Sequence, residues 1–345
     1  MPQSEITTII CGLIQRETII NRNDQVSIDR PGGHALYAAS GYALFDNPVG
    51  IVAKVNDKFL EKYGKELTQN GFDLKGVTPS TRPINAMQYY RINAPDQWET
   101  SNIKRHFYEL GLEVPKFLLQ QDIHTKYDSS TIKAEDIPLL SSDFPPEYRS
   151  AQAVLLTPMS FISHNASIPF LKKSGVSTLM IRSSPSYMTP PKLPTIASLL
   201  KGIDFFFTTE QEIRTLFKSR FDRYEEMLSA LKGFGEQYCI IKCQKSGYMI
   251  LQADSTQICV VPDYAVFVID PIGDFDCFCG VFAANYAKNQ LPVKECALKA
   301  SAAASICREG SGIDYILQSL PALIRMRAQT LYRQLTWCSL SSLAN

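Results

Sequence analysis

The sequence lacks several features that would assign it to a protein class at once. It contains no run of eighteen apolar residues, so no transmembrane helix is expected. No basic segment precedes the short apolar run Ile6–Ile10, which therefore predicts a buried strand instead of a signal peptide. The 35 basic and 34 acidic residues give a net charge of +1, without the basic excess that is typical of nucleic-acid-binding proteins.

Cysteine and histidine are present without the spacing of a disulfide framework or a zinc site. The nine cysteines are an odd number and form no CxxC pair. The four histidines (His34, His106, His124 and His164) are scattered along the chain, which argues against structural zinc. We expect reduced, mostly buried thiols in a cytoplasmic protein.

Three common catalytic motifs are also missing. No GxGxxG follows the first predicted strand, which excludes the usual nicotinamide dehydrogenase fingerprint. The Walker motif GxxxxGK[ST] and the serine hydrolase motif GxSxG are absent as well.

What the sequence does contain is an alternation of short apolar runs with longer helical patterns, which predicts an α/β fold with a doubly wound, mainly parallel central sheet. The predicted strands are Ile6–Cys11, Gly50–Val55, Ala153–Thr157, Thr178–Arg182, Phe205–Thr208, Tyr238–Lys242 and Val266–Asp270. The predicted helices are His34–Phe45, Lys58–Asn70, Ile168–Lys173, Gln211–Lys218, Tyr224–Gly233, Val293–Arg308 and Ile313–Leu335.

Other segments depart from this alternation. Residues near 17–30 and 87–93 alternate between polar and apolar, which predicts a small, half-exposed β lid. The polar stretch 93–148 is read as a long insertion over the lid or toward a partner. Residues 1–335 are predicted to form a single domain, and residues 336–345 a loose tail.

The segment Val266–Ala287 is the most informative part of the chain. A strand, a turn with Pro271 and Gly273, and a small-residue helix would place free backbone N–H groups at the carboxyl edge of the sheet. Asp276 at the helix start could take a proton from a hydroxyl group while those N–H groups hold a phosphate. The residues alone equally allow Asp274 and Asp276 to be helix caps.

Here the chain resembles the ribokinase-like (PfkB) carbohydrate and nucleoside kinase family. Its signature D-T-x-G-A-G-D is matched by Asp270-Pro-Ile-Gly273-Asp274-Phe275-Asp276. Further motifs follow in family order: Arg30-Pro-Gly32-Gly33, Val52-Ala-Lys-Val-Asn56-Asp57, Leu67–Val77, Thr209-Glu-Gln-Glu212, Ile241–Gly247 and Ala302–Gly310. The resemblance covers about residues 6 to 325.

The resemblance implies a kinase that transfers the γ-phosphoryl group of ATP, with Mg²⁺, to a hydroxyl of a small sugar or nucleoside. It implies Asp276 as base and Gly273, Asp274, Phe275 and Asp276 as the anion-binding turn. The implied acceptor-binding residues are Glu17, Gly32, Gly33, Asn56 and Asp57. The implied nucleotide-binding residues are Thr209, Glu212, Lys242, Gln244, Gly247 and Ser305, with Glu212 organising the magnesium indirectly. The family often dimerises through its lid, so a homodimer is expected; no nucleic-acid or membrane partner is expected.

The departures from the family pattern fall on residues that the resemblance places at the nucleotide and the transferring phosphate. Asp274 and Phe275 replace Ala and Gly of the anion turn, Thr209 replaces Asn, and Gln244 replaces Gly. Two hypotheses therefore stay open: an active kinase, or a catalytically degenerate relative that acts as a ligand-binding, sensor or scaffold protein. Asp276 favours the first hypothesis, and the substituted turn favours the second.

Overall fold

The computed structural model describes residues 5–119, 132–133, 136–288 and 290–344. Its strands are β1 (Thr8–Cys11), β2 (Gln15–Ile20), β3 (Val26–Gly32), β4 (Val49–Val55), β5 (Phe72–Pro79), β6 (Ile84–Asn85), β7 (Met87–Ala94), β8 (Gln97–Glu99), β9 (Ile132–Lys133), β10 (Ala153–Leu156), β11 (Thr178–Arg182), β12 (Phe205–Thr209), β13 (Tyr238–Lys242), β14 (Tyr248–Gln252), β15 (Gln257–Val261) and β16 (Thr336–Ser339). Its complete α-helices are α1 (His34–Ala43), α2 (Phe59–Gln69), α3 (Ile103–Glu109), α4 (Phe161–Lys173), α5 (Leu193–Leu199), α6 (Glu210–Phe217), α7 (Tyr224–Lys232), α8 (Asp274–Ala287), α9 (Val293–Cys307), α10 (Gly312–Leu317) and α11 (Pro321–Tyr332).

The main sheet has the strand order β16-β15-β14-β13-β12-β11-β10-β1-β4-β5. The strands from β13 to β5 pair in parallel, and β14, β15 and β16 extend the sheet with antiparallel pairing. The predicted doubly wound, mainly parallel sheet is confirmed. The parallel order brings the carboxyl ends of β1, β11, β12 and β13 to one edge, where open α/β folds place their ligands.

Helices cover both faces of this sheet, because alternate residues of the central strands belong to two different cores. Ile10, Leu155 and Phe205 pack in the core that contains α1, α8 and α9. Ile9, Val154 and Phe206 face the opposite core, with α4 to α7. Burial on both sides explains why these strands are apolar almost throughout.

A second sheet forms the predicted lid. Its order is β3-β2-β7-β8, with β2 antiparallel to β3 and parallel to β7. Part of the 93–148 insertion covers it: Ile103 and Phe107 of α3 pack with Ile20 and Tyr89 of the lid. Residues 120–131 and 134–135 of the insertion lie outside the described residues.

The predicted strand Val266–Asp270 is wrong. These residues belong to no sheet; the N–H groups of Ile269 and Asp270 donate to Arg308 O at the end of α9. Arg22 of the lid donates from its side chain to Val268 O at 2.5 Å. β14 and β16 already flank β15, so the edge of β15 is not open to this segment, and its β-branched residues stay in a loop.

The prediction of a loose tail at 336–345 is also wrong. Thr336–Ser339 form β16, which pairs antiparallel with β15, and Leu340–Ala344 form a 3₁₀ helix. Cys338 and Leu340 pack against the core under α7. The tail is ordered because β15 offers it a free strand edge, which a local sequence pattern does not reveal.

All nine cysteines lie within the described residues and are free, and Cys338 is the one that is not buried. No helix in the described part of the chain is long and apolar enough to cross a membrane.

Candidate active site

The turn before α8 depends on a glycine. Gly273 caps the helix with a φ of 79°. A Cβ at this position would lie 2.2 Å from the ring of Tyr37 in α1. The left-handed conformation and the close ring both require glycine here, so the predicted turn is present even though the strand before it is not. Asp274 N–H donates to Pro271 O at 3.4 Å, and Cys277 N–H donates to Gly273 O at 2.8 Å. Between them, the N–H groups of Phe275 and Asp276 have no acceptor within the described residues and are available to an anion.

Asp276 is buried in the first turn of α8 and lies between two basic side chains. His34 Nδ1 is 2.7 Å from Asp276 Oδ2, and Arg182 Nε is 3.3 Å from Asp276 Oδ1. Burial opposes ionisation of this carboxyl, but His34 and Arg182 outweigh it and hold the pKa of Asp276 below its ordinary value. Asp276 is therefore a carboxylate near neutral pH.

The two residues that depart from the family turn each have a partner. Both oxygens of Asp274 accept from Lys242 Nζ at 2.6 Å, and Arg308 Nε lies 3.9 Å away. The ring of Phe275 is buried beneath Arg182, whose guanidinium carbon is 5.0 Å from the ring centroid. The extra negative charge of the turn is thus neutralised by the predicted nucleotide-side lysine.

Glu17, Gly32 and Gly33 are brought together as the sequence predicts. Gly33 N–H donates to Glu17 Oε1 at 2.8 Å, and Tyr37 O–H donates to Oε2 at 2.9 Å. At Gly32 a Cβ would lie 2.2 Å from this carboxylate. Burial outweighs the two hydrogen bonds and raises the pKa of Glu17 to about 7. Glu17 therefore holds the glycine turn and α1 in place.

Asn56 and Asp57 lie farther out. Asn56 exchanges two hydrogen bonds with the backbone of Ile84, with distances of 2.8 and 2.9 Å. It also lines a cavity of about 470 Å³ between α2 and the base of the lid, which contains neither Asp276 nor the glycine turn. Asp57 is exposed just before α2. Within the described residues, neither Asn56 nor Asp57 forms a hydrogen bond or ion pair with Asp276.

Thr209 and Glu212 form the capping box of α6. Glu212 N–H donates to Thr209 Oγ1 at 3.2 Å, and Thr209 N–H donates to Glu212 Oε2 at 2.9 Å. Glu212 is buried, and within the described part of the chain its Oε1 has no hydrogen-bond partner. A buried acceptor without a partner is costly and requires a donor or a cation.

The remaining nucleotide-side residues are dispersed. Gly247, with a φ of 77°, turns β13 into β14. Gln244 lines a cavity of about 320 Å³ beside α6 that includes no residue of 302–310. Ser305 is fully buried; its hydroxyl donates to Ala302 O at 2.6 Å and accepts from Arg327 at 2.8 Å. Ser305 therefore does not face a groove.

Two residues beside Asp276, His34 and Arg182, were not assigned to the site from the sequence. His34 beside Gly33 was weighed as a substrate contact, but a lone histidine next to a turn is more often structural; Arg182 ends a predicted strand without any motif. The available signals were the position of His34 directly after Gly33 and the position of Arg182 at the carboxyl end of β11. Neither signal identifies Asp276, which is 242 positions from His34, as the partner.

Comparison with known proteins gives a family match over part of the chain. Residues 170–319 match the pfkB family carbohydrate kinase model. A cytidine kinase of Thermococcus kodakarensis is 20% identical over 290 residues, which is 84% of this chain and 91% of that kinase.

Solved kinases share the fold at low identity. The ribokinase of Arabidopsis thaliana with ribose and ATP has a TM-score of 0.65 and 17% identity, over 94% of this chain and 99% of that one. A candidate ribokinase II of E. coli with ATP and Mg²⁺ has a TM-score of 0.67 and 17% identity, and the match covers 94% of this chain and 99% of that one. The nucleoside kinase of Methanocaldococcus jannaschii has a TM-score of 0.61 and 15% identity, over 94% of this chain and 99% of that one. The partial family match and the shared fold confirm the predicted resemblance: residues 170–319 are similar to the pfkB family, and the chain has the fold of the solved ribokinases.

Proposed function

We propose that this protein transfers the γ-phosphoryl group of ATP to a hydroxyl of a small sugar or nucleoside. The observation that carries the proposal is Asp276: a buried carboxylate in the first turn of α8, kept ionised by Arg182 and His34. A fold has little reason to bury a carboxylate beside an anion-binding helix start unless the charge is used. Asp276 supplies the basic carboxylate of the reaction.

The phosphate side of the site has donors and positive charge. The N–H groups of Phe275 and Asp276 are open at the start of α8, and Lys242 and Arg308 flank Asp274 at that same helix start. A transferring phosphoryl group carries its charge on equatorial oxygens, and positioned donors stabilise it. Neutralisation of Asp274 by Lys242 removes the repulsion that this residue would otherwise exert.

The described residues fit a hydrated magnesium ion better than a protein-only metal cage. No group of three or more His, Cys, Asp or Glu side chains in the described part of the chain could hold a metal. Mg²⁺ usually keeps several waters and binds one or two carboxylates plus substrate phosphates. Glu212 Oε1, buried without a partner among the described residues, would hold such an ion through water. The ion would neutralise charge on the phosphates.

The acceptor side is formed by the glycine turn and the lid. Gly32 and Gly33 lie just before α1, and Gly33 is hydrogen-bonded to Glu17. The next residue, His34, contacts Asp276. Ribose and cytidine are named for two of the relatives, which supports a sugar or nucleoside as the acceptor class.

The test starts with nucleotide binding. Calorimetry with ATP and Mg²⁺ should show saturable binding at sub-millimolar concentration. A coupled ADP assay with D-ribose, D-fructose and cytidine should then show transfer. Asp276→Asn should bind Mg·ATP like the natural protein and lose about 100-fold or more in kcat.

Asp96→Asn, in the exposed turn between β7 and β8, is the matched control and should retain full activity. Absence of Mg·ATP binding at millimolar concentration would contradict the proposal, as would an Asp276→Asn variant with unchanged turnover.

A further inference from the structure

A second cavity lies between the antiparallel end of the main sheet and the junction of α8 with α9. Its volume of about 430 Å³ is within the range of small-molecule sites. On the sheet side, Ile250 pairs with Cys259 and Cys259 pairs with Trp337, so these three side chains share one face. The opposite wall is formed by Tyr286, in the last turn of α8, and by residues 290–294.

This cavity lies at the edge of the sheet opposite the candidate active site. Tyr238, which lines it, is the first residue of β13, whereas Lys242 at the other end of that strand binds Asp274. Asp276 and Tyr286 are ten positions apart in α8, which is about 15 Å along the helix axis. The cavity is therefore separate from the site that contains Asp276.

Three aromatic side chains line the cavity, and two of them are held in place by the core. The ring of Tyr238 stacks on Phe205, with 5.2 Å between centroids, and Tyr286 meets the same ring edge-on at 4.5 Å. Phe205 is fully buried. Trp337 of β16 is 57% exposed, which leaves its ring open to a ligand. Aromatic walls of this kind favour a planar ring, because the two can stack.

Two side-chain amides line the same cavity. Gln252 ends β14 and Gln257 begins β15. Neither side chain forms a hydrogen bond with any residue that the structure describes. Each amide offers both a donor and an acceptor. Stacking surfaces together with free donors and acceptors are the features by which proteins recognise an unpaired nucleobase.

The charge of the cavity is positive. Lys294, in the first turn of α9, lines it and forms no ion pair or hydrogen bond with a described residue. Burial raises the pKa of the Cys259 thiol to about 11, and the nearby Lys294 opposes this rise, which places the ammonium group close to the cavity floor. No acidic side chain is among the described residues that line the cavity.

The position of Lys294 in its helix adds to this charge. The N-terminal end of a helix carries the positive end of the dipole, where a cation is disfavoured and an anion is stabilised. An anionic ligand would therefore relieve the repulsion on Lys294. A lysine binds a phosphate as a compact point charge.

We propose that this cavity binds a nucleoside monophosphate, with the base against Trp337 and the phosphate at Lys294. The side-chain amides of Gln252 and Gln257 would bond to the edge of the base. The volume is near the lower end of the range for ligand sites, which suits one nucleotide better than a dinucleotide. The proposal does not depend on kinase activity.

Fluorescence of Trp337 tests the proposal directly. The chain has two tryptophans, so Trp98→Phe leaves Trp337 as the only one. AMP, GMP, CMP and UMP are added separately to this variant. At least one of them should change the Trp337 emission saturably at sub-millimolar concentration. The matching nucleoside should bind about tenfold more weakly, because it lacks the phosphate. Inorganic phosphate alone should not saturate the signal in the same range.

Two sets of variants locate the bound nucleotide. Lys294→Gln, made in the Trp98→Phe protein, should raise the Kd of the nucleotide about tenfold and leave the Kd of the nucleoside unchanged. Lys173→Gln, at the exposed end of α4, is the matched control and should change neither value. Trp337→Ala, measured by calorimetry, should weaken nucleotide binding about tenfold or more. Trp337→Phe keeps a ring, and its loss should be smaller.

Thermal unfolding shows whether each variant keeps the fold, and Lys294→Gln and Trp337→Phe still decide the matter if Trp337→Ala does not fold. Absence of a saturable signal with all four nucleotides overturns the inference. So does a nucleoside that binds as tightly as its monophosphate. A nucleotide Kd that neither Lys294→Gln nor the Trp337 variants change would place the ligand elsewhere and overturns it as well. Each of these outcomes leaves the proposed kinase function standing.

Discussion

The buried side chain of Glu17, which holds the glycine turn at Gly32 and Gly33, makes the stability of the fold depend on pH. Its pKa is raised from the ordinary value of 4.5 to about 7 because it is buried. Between these values the folded protein binds a proton that the unfolded chain has released. The contribution of Glu17 to stability is therefore greatest at low pH and falls as the pH rises through about 7.

Glu17→Gln should remove this dependence. As the pH rises from 5 to 8, the natural protein should lose up to about 3 kcal/mol of unfolding free energy that the variant keeps, since each pH unit corresponds to about 1.4 kcal/mol. Urea unfolding of both proteins at several pH values measures this difference. Glu226→Gln, at an exposed position of α7, should run parallel to the natural protein. Parallel curves for Glu17→Gln as well would show that Glu17 is ionised in the fold across this range.

Asp274 is one of two residues at which the turn before α8 departs from the pfkB pattern that it resembles. Asp274→Ala removes a carboxylate from the phosphate side and frees Lys242, so we expect Mg·ATP to bind about tenfold tighter, a gain of about 1.4 kcal/mol. Calorimetry measures this Kd. Asp46→Ala, which breaks the Lys288–Asp46 pair just beyond the C-terminal ends of α1 and α8, should leave the Kd unchanged. Equal or weaker binding by Asp274→Ala would show that the Lys242 pair holds the turn in its binding form.

At the scale of elements, the site depends on how closely α1 and α8 approach. At Gly280 a Cβ would lie 1.8 Å from Ala38 O, and at Gly41 it would lie 2.4 Å from Cys277 O. These helices contact each other backbone to backbone, which small residues alone permit. The close crossing sets the distance between His34 and Asp276.

Gly273→Ala tests the turn itself. The new methyl group must adopt a positive φ and meets the Tyr37 ring, so unfolding free energy should fall by about 2–5 kcal/mol. Gly175→Ala is the matched control, because Gly175 has a φ of 84° and open space around it, and it should lose only about 1–2 kcal/mol. Chemical denaturation of both variants gives the comparison. Equal losses would mean that the ring of Tyr37 moves aside without cost.

At the scale of the whole molecule, the C-terminal residues complete the main sheet. A chain that ends at Leu335 exposes the edge of β15 and removes the packing of Cys338 and Leu340. Its Tm should fall by several degrees, and it should associate through the open edge.

Calorimetry and light scattering measure these two effects. A chain that ends at Ser342 retains β16 and serves as the control. A natural Tm for the shorter chain would show that β16 contributes nothing to stability.

Many strands and turns of this protein can be predicted from the pattern of neighbouring residues in the sequence. The strands β1, β10 and β12 could be predicted because burial on both faces demands apolar residues. The turns at Gly33 and Gly273 could be predicted because a positive φ favours glycine. Asp276 was predicted from the motif Asp270–Asp276, and Glu17 from its place five residues after Gly12; the roles of both stay predictions. These features are determined by residues that lie within a few positions of one another.

Tertiary structure decided the rest. Val266–Asp270 has strand-forming residues but pairs with no strand, whereas residues 336–339 became a strand because they pair with the edge of β15. His34 and Arg182 became members of the site only when α1, β11 and α8 converged on Asp276. The sequence by itself determined most of the strands and helices and the glycine turn before α8. Only the folded chain decided which side chains meet there, because charge pairing depends on distances in space that residue spacing does not encode.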